Sequence, residues 1–335
     1  MLLRKGRGYL SCWRDAMLCK GDDYTVSVII LTRNSSATVE KTLESVFHQT
    51  RMPDEVIVVD GNSIDGTLRI VKRYPVKILK EPGLGFGYAR NLGVKEAKGD
   101  IVFFIDSDCY AAPNWIEKAL RHFDNPEVAG VTGETRLWNT EHACARFLAY
   151  VGGRMNMPKD RRFVDIAPTM NLALRRDVIF RFGGFDESLV RCEDTDLTWK
   201  ISRRYKILYD PEVVVWFRGS PNVLVASRKC VRYFVGVGQL IAKYGLNREF
   251  FRFNLLVRGL LLLALLFSVI FLPWYVSVAL FTLLFVNFVY KSVRMYLKYN
   301  DWCVIYYAIL FTLWSFMSLA IFYGLYLGFR GRRRG

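Results

Sequence analysis

The first two thirds of the chain alternate between short apolar runs and longer amphipathic stretches. "VSVIILTRN" (26–34) is a β-branched run that ends in polar residues, and "SSATVEKTLESVFHQ" (35–49) continues with a serine cap and apolar residues at helical spacing. The same order recurs in "DEVIVVDGNSIDGT" (54–67), which leads into a further helix, and "VKILK" (76–80) adds a third strand. Strands that alternate with helices predict a mostly parallel sheet covered on both faces.

A glycine-rich loop and a fourth strand complete this pattern. "GLGFGYARNLGVKEAKGD" (83–100) predicts a loop that runs into a helix, and the apolar run that follows stops at Asp106 and Asp108. Asp60 stands at the end of the second strand in the same way. Ligands of open α/β sheets bind at the carboxyl ends of the strands, so these acids mark a candidate site.

Asp106 and Asp108 stand one residue apart, and two carboxylates at this spacing repel each other unless a positive charge lies beside them. A divalent cation, Mg²⁺ or Mn²⁺, that also binds phosphate oxygens would satisfy both carboxylates. The alternative is a turn or a helix cap, because aspartate is favoured in both.

The last third of the chain is dominated by Leu, Phe, Val and Tyr. The runs 259–290 and 302–329 contain no charged residue, and each exceeds the roughly 20 residues that cross a bilayer. "LPWYV" (272–276) interrupts the first run with a proline and two aromatic residues, which favours a helical hairpin. Two or three transmembrane helices are therefore predicted.

A hairpin would return Lys291, Arg294 and Lys298 to the side of the α/β domain, which the positive-inside tendency assigns to the cytoplasm. We therefore expect a multi-pass protein of the cell membrane with its α/β domain in the cytoplasm. If the run 302–329 also crossed the membrane, the terminal basic residues would lie outside, so two alternatives stay open. Either this run lies in or re-enters the membrane face on the side of the α/β domain, or the run 259–290 is a single tilted span.

The formal net charge of +16 is concentrated near the N-terminus, around 228–258 and in the terminal "RGRRRG", where anionic lipid headgroups would lie. This placement favours membrane lipids as partners over nucleic acid. Residues 1–24 lack the continuous apolar stretch of a secretory signal. The 7 cysteines are scattered, which indicates neither a disulfide framework nor a structural zinc site.

The motifs above, followed by "NLALRRDVIFRFGGFDESLVRCEDTDL" (171–197), resemble in order and spacing the family 2 glycosyltransferases. The resemblance covers about residues 26–238. It implies the GT-A fold, a Rossmann-like α/β domain, and a UDP- or GDP-sugar as donor. It also implies Mg²⁺ or Mn²⁺ as cofactor and an inverting transfer.

The apolar runs, the clusters of basic residues and the resemblance together predict the domain organisation. The predicted segments are a basic N-terminal segment (1–24), a GT-A catalytic domain (25–226), a basic amphipathic juxtamembrane linker (227–253), a membrane region (254–330) and a basic tail (331–335).

Roles for individual residues follow from the same likeness. Asp60 would face the nucleotide base, Arg90 would lie near the donor's phosphates or sugar, and Asp106 and Asp108 would bind the metal. A surface salt bridge is the alternative for Arg90. The predicted nucleotide-sugar site comprises Thr32, Arg33, Asn34, Asp60, Asp65, Arg90, Asp106, Ser107 and Asp108.

"CEDTDL" (192–197) resembles the family's Glu-Asp motif, in which one carboxylate removes the proton from the acceptor hydroxyl. Asp194 is the predicted base, and Glu193 is the second candidate. The alternative is that these acids complement a helix dipole. The loop "FGGFDESL" (182–189) is predicted on the acceptor side, although its glycines could simply form a turn.

The chain departs from the family pattern at two positions. Phe217 stands where many relatives have a histidine that can approach the metal, and Gly61 replaces the second aspartate of "DDGS". The departure at Phe217 leaves the identity of the third metal ligand open. The departure at Gly61 weakens any inference about which nucleotide base is bound. The Gln-x-x-Arg-Trp element of processive relatives is absent from the sequence.

The predicted function is a membrane-anchored inverting glycosyltransferase that acts on a hydroxyl of a lipid-linked glycan or another glycan. A hydroxyl needs a base, whereas a lipid phosphate is already ionised. Transfer to polyprenyl or dolichyl phosphate is the alternative. A hypothesis of another class is a catalytically inactive, nucleotide-sugar-binding membrane scaffold.

Overall fold

A computed structural model of the chain describes residues 24–151, 159–220, 222–246, 260, 264–265, 267–271, 273–302 and 320–332. The chain divides into two compact units. Their described residues are 24–136, 159–187 and 193–217 in the first unit, and 137–151, 188–192 and 218–332, with the gaps given above, in the second. The predicted segment 1–24 lies outside the described residues except for Tyr24, and residues 331–332 of the predicted tail 331–335 are described. The boundaries of the five predicted segments stay a prediction.

Within the described residues, nine strands form one sheet. They are β1 (Val26–Thr32), β2 (Glu55–Asp60), β3 (Lys77–Lys80), β4 (Ile101–Asp106), β5 (Cys109–Ala111), β6 (Val128–Leu137), β7 (Arg162–Phe163), β8 (Leu172–Arg175) and β9 (Lys206–Phe217). The described helices are α1 (Val39–Phe47), α2 (Thr67–Val71), α3 (Phe86–Glu96), α4 (Trp115–Leu120), α5 (Ala143–Val151), α6 (Arg176–Arg181), α7 (Glu193–Ser202), α8 (Val223–Tyr244), α9 (Trp274–Tyr299) and α10 (Ala320–Arg332).

The four strands predicted from the apolar runs are confirmed as β1 to β4, and each is followed by a helix except β4. These strands are parallel: β1 pairs with β2 and β4, and β2 pairs with β3. The rest of the sheet contains antiparallel pairs. β8 is antiparallel to β4 and β6, while β5 and β7 are antiparallel to β9.

The sheet is therefore mixed, and the prediction of a mostly parallel sheet is wrong beyond β4. Strand direction is set by the connections, and the regular βα alternation that predicts parallel pairing ends with β4. β5 begins at Cys109, only a short turn after β4 ends at Asp106, so no crossover helix separates the two strands.

The apolar runs became strands because their side chains are buried on both faces of the sheet. All residues of β4 before Asp106 are buried, and the same holds for most of β1. Phe103 packs edge-on against Trp115, with 4.9 Å between the ring centroids. The Trp115 indole N–H donates to Asn171 Oδ1 at 2.8 Å, so the buried ring keeps a polar partner.

Strand register brings the candidate acids to one edge of this sheet. Thr32 pairs with Asp60, Asp60 pairs with Lys80, and Leu31 pairs with Asp106. The carboxyl ends of β1, β2, β3 and β4 therefore lie side by side, as the sequence predicted.

The second unit contains α5, α8, α9 and α10, and small residues allow two of these helices to approach closely. A β-carbon on Gly238 of α8 would lie 2.1 Å from the Ile321 carbonyl oxygen, and one on Gly324 of α10 would lie 2.0 Å from the Val235 carbonyl oxygen. The part of the predicted linker 227–253 that the structure describes is helical through Tyr244.

α9 begins directly after Pro273, where the sequence predicted a break. Among the described residues, none of the helices combines the length and the apolar character needed to cross a membrane. Much of the predicted membrane region falls outside the described residues, including 303–319 of the second apolar run.

Candidate functional site

The end of β4 carries a cluster of potential metal ligands. Ligand atoms of Asp106, Asp108 and Cys109 all lie within 4.8 Å of one another. The Cys109 thiol donates to Asp108 Oδ1 at 3.6 Å. Two carboxylates at this separation offer the oxygen ligands that Mg²⁺ and Mn²⁺ prefer, so the residues present fit a divalent cation.

The sequence did not predict Cys109 as a potential metal ligand, although this residue directly follows the Asp-x-Asp pair. Phe217 lies opposite Cys109 in the β5–β9 pairing and is buried. The apolar replacement for the expected histidine therefore stands next to the candidate metal ligands.

The loops after β1 and β2 are bound to each other around Asp60, which is 1% exposed. The Asp60 carboxylate accepts the Ser63 N–H at 3.0 Å and the Ser63 hydroxyl at 2.5 Å. Asn34, in a left-handed conformation with φ 51°, donates its N–H to Ser63 Oγ and accepts the Ile64 N–H at its side-chain oxygen, both at 2.9 Å. Arg33 is exposed beside this network.

Two further predicted residues, Thr32 and Ser107, lie close to these loops. Thr32 Oγ1 is buried and has no hydrogen-bond partner within the described residues. The Ser107 hydroxyl lies 2.9 Å from the hydroxyl of Ser35, which joins the turn after β4 to the loop after β1. Thr32 and Ser107 thus lie at the same edge of the sheet as Asp60 and Asp106, the last residues of β2 and β4.

Asp65 is engaged by the start of α2. The Thr67 hydroxyl donates to its carboxylate, and the N–H groups of Thr67 and Ser36 donate at 3.0 and 3.1 Å. These hydrogen bonds, the one from the Thr67 hydroxyl first, hold the pKa of Asp65 well below its usual range. Asp65 thus orders the loop, while its predicted contact with the donor stays a prediction.

Arg90 lies inside the first unit rather than in a surface salt bridge. Its guanidinium Nη1 donates to Glu193 Oε1, and its Nη2 lies 3.9 Å from Asp106 Oδ1. The side chains of Arg90 and Glu193 are 5% and 2% exposed. Burial opposes the Arg90 charge, but the carboxylates of Glu193, Asp106 and Asp194 outweigh it and raise the pKa of Arg90.

Arg90 therefore connects three elements, because it belongs to α3, lies near the end of β4 and pairs with the first residue of α7. The rings of Phe86 and Phe185 lie 5.6 and 5.7 Å from its Cζ and separate the pair from water. The buried cation brings the metal-site acid and the Glu-Asp motif to one place.

The three acids that open α7 have different surroundings. Glu193 is bound by Arg90, and buried Asp196 lies 2.9 Å from Lys200 Nζ. Asp194 is only half-buried; it accepts the N–H of Thr195 at 2.8 Å and that of Thr169 at 3.3 Å. Among the described residues it has no ion-pair partner, so its carboxylate is the one of the three that stays open to a substrate.

The loop with paired glycines is anchored to α3. Gly183 and Gly184 have φ values of 79° and 73°, a conformation that favours glycine. The Asn91 side chain accepts the Phe185 N–H and donates to the Phe185 carbonyl oxygen, both at 2.8 Å. A β-carbon on Gly87 would lie 2.8 Å from the Asp186 carbonyl oxygen. Sequence reasoning missed Asn91, although it stands in the "ARN" motif next to Arg90.

The chain is similar to known proteins in sequence and in fold. Residues 27–179 match the profile of Glycosyl transferase family 2. The glycosyltransferase AglE of Haloferax volcanii is 28% identical over 226 residues, which cover 64% of this chain and 73% of AglE. The probable glycosyltransferase YdaM of Bacillus subtilis is 29% identical over 65% of this chain and 56% of YdaM.

Two solved structures share the fold. The mannosyltransferase PcManGT from Pyrobaculum calidifontis, in complex with GDP-Man and Mn²⁺, has a TM-score of 0.60 at 20% identity and covers 95% of this chain and 94% of its own. S. aureus TarS 1–349 in complex with UDP has a TM-score of 0.50 at 23% identity over 69% of this chain and 73% of its own. Residues 27–179 are thus similar in sequence to glycosyl transferase family 2, and the chain shares its fold with these two structures.

Proposed function

We propose that the protein is a membrane-anchored, metal-dependent, inverting glycosyltransferase. It transfers a sugar from a nucleotide-diphospho-sugar to a hydroxyl of a lipid-linked glycan or another glycan. The observation that carries this proposal is the arrangement around Arg90, which pairs with Glu193, lies 3.9 Å from Asp106 Oδ1 and interacts with the charge of Asp194.

Asp106 and Asp108 would hold the cation, with Cys109 beside them. A divalent cation supplies electrostatic stabilisation of the leaving diphosphate. The complexes of PcManGT with GDP-Man and Mn²⁺ and of TarS with UDP support a nucleotide-sugar donor and a divalent metal here, by analogy of fold.

Asp194 is the proposed general base. Its carboxylate accepts the proton of the acceptor hydroxyl while that oxygen forms a bond to the anomeric carbon of the sugar. The bond between the anomeric carbon and the phosphate oxygen breaks in the same step, and the electron pair leaves with the nucleoside diphosphate. Glu193 is the weaker candidate because its carboxylate is 2% exposed and engaged by Arg90; we assign it the role of holding Arg90.

Membrane anchoring and a cytoplasmic catalytic domain belong to the proposal. They are supported by the uncharged runs 259–290 and 302–329 and by large apolar side chains exposed on α9, such as Trp274 at 76% and Phe281 at 59%. A catalytic domain that is tethered to a membrane favours a lipid-linked acceptor. Transfer to polyprenyl or dolichyl phosphate is the second candidate, since that acceptor shares the membrane but does not need Asp194.

The experiment is to measure nucleoside diphosphate release by the purified full-length protein from UDP-, GDP- and dTDP-sugars. Mn²⁺ or Mg²⁺ is supplied, with and without a lipid extract. We expect metal-dependent release from one donor that is stimulated by lipid and lost in Asp108→Asn. Binding of nucleotide without turnover under all conditions would favour the inactive scaffold instead.

A further inference from the structure

Gly61 lies in a row of three residues at the carboxyl edge of the sheet. Thr32, Asp60 and Lys80 are paired in register, and the residues that follow them are Arg33, Gly61 and Glu81. The row continues the hydrogen bonding of the sheet: the Gly61 N–H donates to the Thr32 carbonyl oxygen and the Glu81 N–H to that of Asp60, both at 2.8 Å. Residues that share a row of a sheet direct their side chains to the same face.

The absence of a side chain at Gly61 opens a slot between its two neighbours in the row. A β-carbon built there would lie 3.4 Å from Glu81 Oε2 and 3.5 Å from Arg33 Cδ. An acceptor group therefore flanks Gly61 on one side and a guanidinium side chain flanks it on the other. Arg33 and Glu81 form no ion pair with each other among the described residues, so both keep charge available to a ligand.

Glu81 is built into this position rather than lying on the surface, since it is 5% exposed. Its Oε1 accepts the N–H of Leu84 and that of Gly85, the latter at 3.0 Å, which fixes the carboxylate at the start of the glycine-rich loop. Within the part of the chain that the structure describes, Oε2 accepts no hydrogen bond. Oε2 is not one of the buried side-chain oxygens that lack a partner, so this atom stays accessible to a ligand that donates hydrogen bonds.

Asp60 is less suited to read a base, because Ser63 donates to both of its oxygens. Gly61 stands where many relatives carry a second aspartate. Glu81, which follows β3, supplies a carboxylate next to that position. Sequence reasoning missed Glu81 because it follows a different strand.

We propose that Glu81 and Arg33 select guanine, so that the donor is a GDP-sugar. This inference rests on the proposed function and names its substrate class. The edge of guanine presents an amino group, a ring N–H and a carbonyl oxygen in that order. The two adjacent donors match the Glu81 carboxylate, which can only accept, and the carbonyl oxygen matches the Arg33 guanidinium, which can only donate.

Other bases fit the same pair less well. Uracil and thymine flank their ring N–H with two carbonyl oxygens, one of which would face the carboxylate. Adenine and cytosine place an unprotonated ring nitrogen beside their amino group, so they offer one donor where guanine offers two. A site that leaves a buried polar group unpaired discriminates strongly against the wrong ligand.

The test is equilibrium binding of GDP, IDP, UDP, CDP and ADP to the full-length protein with Mn²⁺, by calorimetry, without any turnover. We expect GDP to bind at least ~100-fold more tightly than UDP, because uracil loses the charge-assisted hydrogen bond of the amino group and turns a carbonyl oxygen toward the Glu81 carboxylate instead. IDP lacks only the amino group and should bind about tenfold more weakly than GDP.

In Glu81→Gln the amide oxygen can stay with the loop N–H groups of Leu84 and Gly85, which leaves the NH₂ group facing the slot. The preference for GDP over both UDP and IDP should then fall to less than about threefold. Gly61→Ala keeps Glu81 but places a methyl group in the slot, 3.4 Å from Oε2, and should weaken GDP binding. Glu96→Gln, which removes an exposed carboxylate paired with Lys77, is the matched control and should bind GDP like the wild type.

The outcomes separate this inference from the function on which it rests. Tighter binding of UDP than of GDP, or a preference for GDP that survives Glu81→Gln in a folded protein, overturns the assignment and leaves the glycosyltransferase proposal standing. Failure of every nucleoside diphosphate to bind overturns both.

Discussion

Glu193 and Asp194 are neighbours with different proposed roles: Glu193 holds Arg90, and Asp194 is the general base. Replacing each carboxylate with its amide distinguishes the two roles. Glu193 is buried against Arg90, so Glu193→Gln should lower stability and affect chemistry little. Asp194 is half-buried and held by backbone N–H groups, so Asp194→Asn should leave stability nearly unchanged and abolish most turnover.

The magnitudes follow from these surroundings. Breaking a buried ion pair from one side costs about 3–5 kcal/mol. The lower end applies to Glu193→Gln, because the amide oxygen can still accept from Arg90 and Asp106 lies 3.9 Å from the guanidinium. About 3 kcal/mol corresponds to a fall in Tm of roughly 6–12 °C for a domain of this size. Asp194→Asn should cost only about 1 kcal/mol.

Loss of a general base lowers kcat by about 10²–10⁴-fold, which we expect for Asp194→Asn with donor binding retained. Glu193→Gln, assayed below its Tm, should lose less than the ~100-fold lower bound of that range. The measurements are thermal unfolding and donor turnover for both variants. Asp196→Asn, which removes a buried acid paired with Lys200 at 2.9 Å, is the matched control for stability without chemistry. The assignment of Asp194 as base would be refuted if Glu193→Gln were stable but inactive while Asp194→Asn kept its activity.

Three further predictions concern the metal, a tyrosine and the acceptor-side loop. Asp106→Asn and Asp108→Asn should each weaken Mn²⁺ binding at least tenfold by calorimetry, and unchanged affinity would contradict the metal site. Burial raises the pKa of Tyr209 to about 12; the stability gained from the neutral phenol is complete below pH ~10 and lost as pH rises through about 12, so Tyr209→Phe should flatten the fall in Tm over this range. In Gly87→Ala the new β-carbon would lie 2.8 Å from the Asp186 carbonyl oxygen, so this variant should lower Tm and speed proteolysis of the loop 182–189. A Tm and a proteolysis rate equal to those of the wild type would contradict the close packing of this loop against Gly87.

Much of the fold could be predicted because the buried strands and amphipathic helices up to β4 carry clear hydrophobic patterns. β1 to β4 were found from their apolar runs, and their ends placed Asp60 and Asp106 at one edge. The direction of β8 could not be found in this way, because a strand has the same pattern in either direction. The mixed sheet therefore emerged only from the connections.

The sequence identified residues of the candidate site but not the side-chain contacts that they make. The motif spacing identified Arg90, Glu193 and Asp194, but spacing does not contain the three-dimensional contact between residues 103 positions apart. Arg90 is buried against Glu193, a contact that the sequence did not predict, and its expected place near the donor stays a prediction. Glu81 and Asn91 were missed because their hydrogen bonds run to loop backbone, which leaves no periodic signal in the sequence.

The most direct test of the central claim is transfer of a radiolabelled sugar from its nucleotide donor to a lipid extract, compared between wild type and Asp194→Asn in the presence of Mn²⁺. The account predicts label in the lipid-extractable product for the wild type and at least ~100-fold less for the variant. Equal transfer by both proteins would contradict the assignment of Asp194 as base and favour an ionised lipid phosphate as acceptor. No transfer by the wild type, despite bound donor, would contradict the transferase itself.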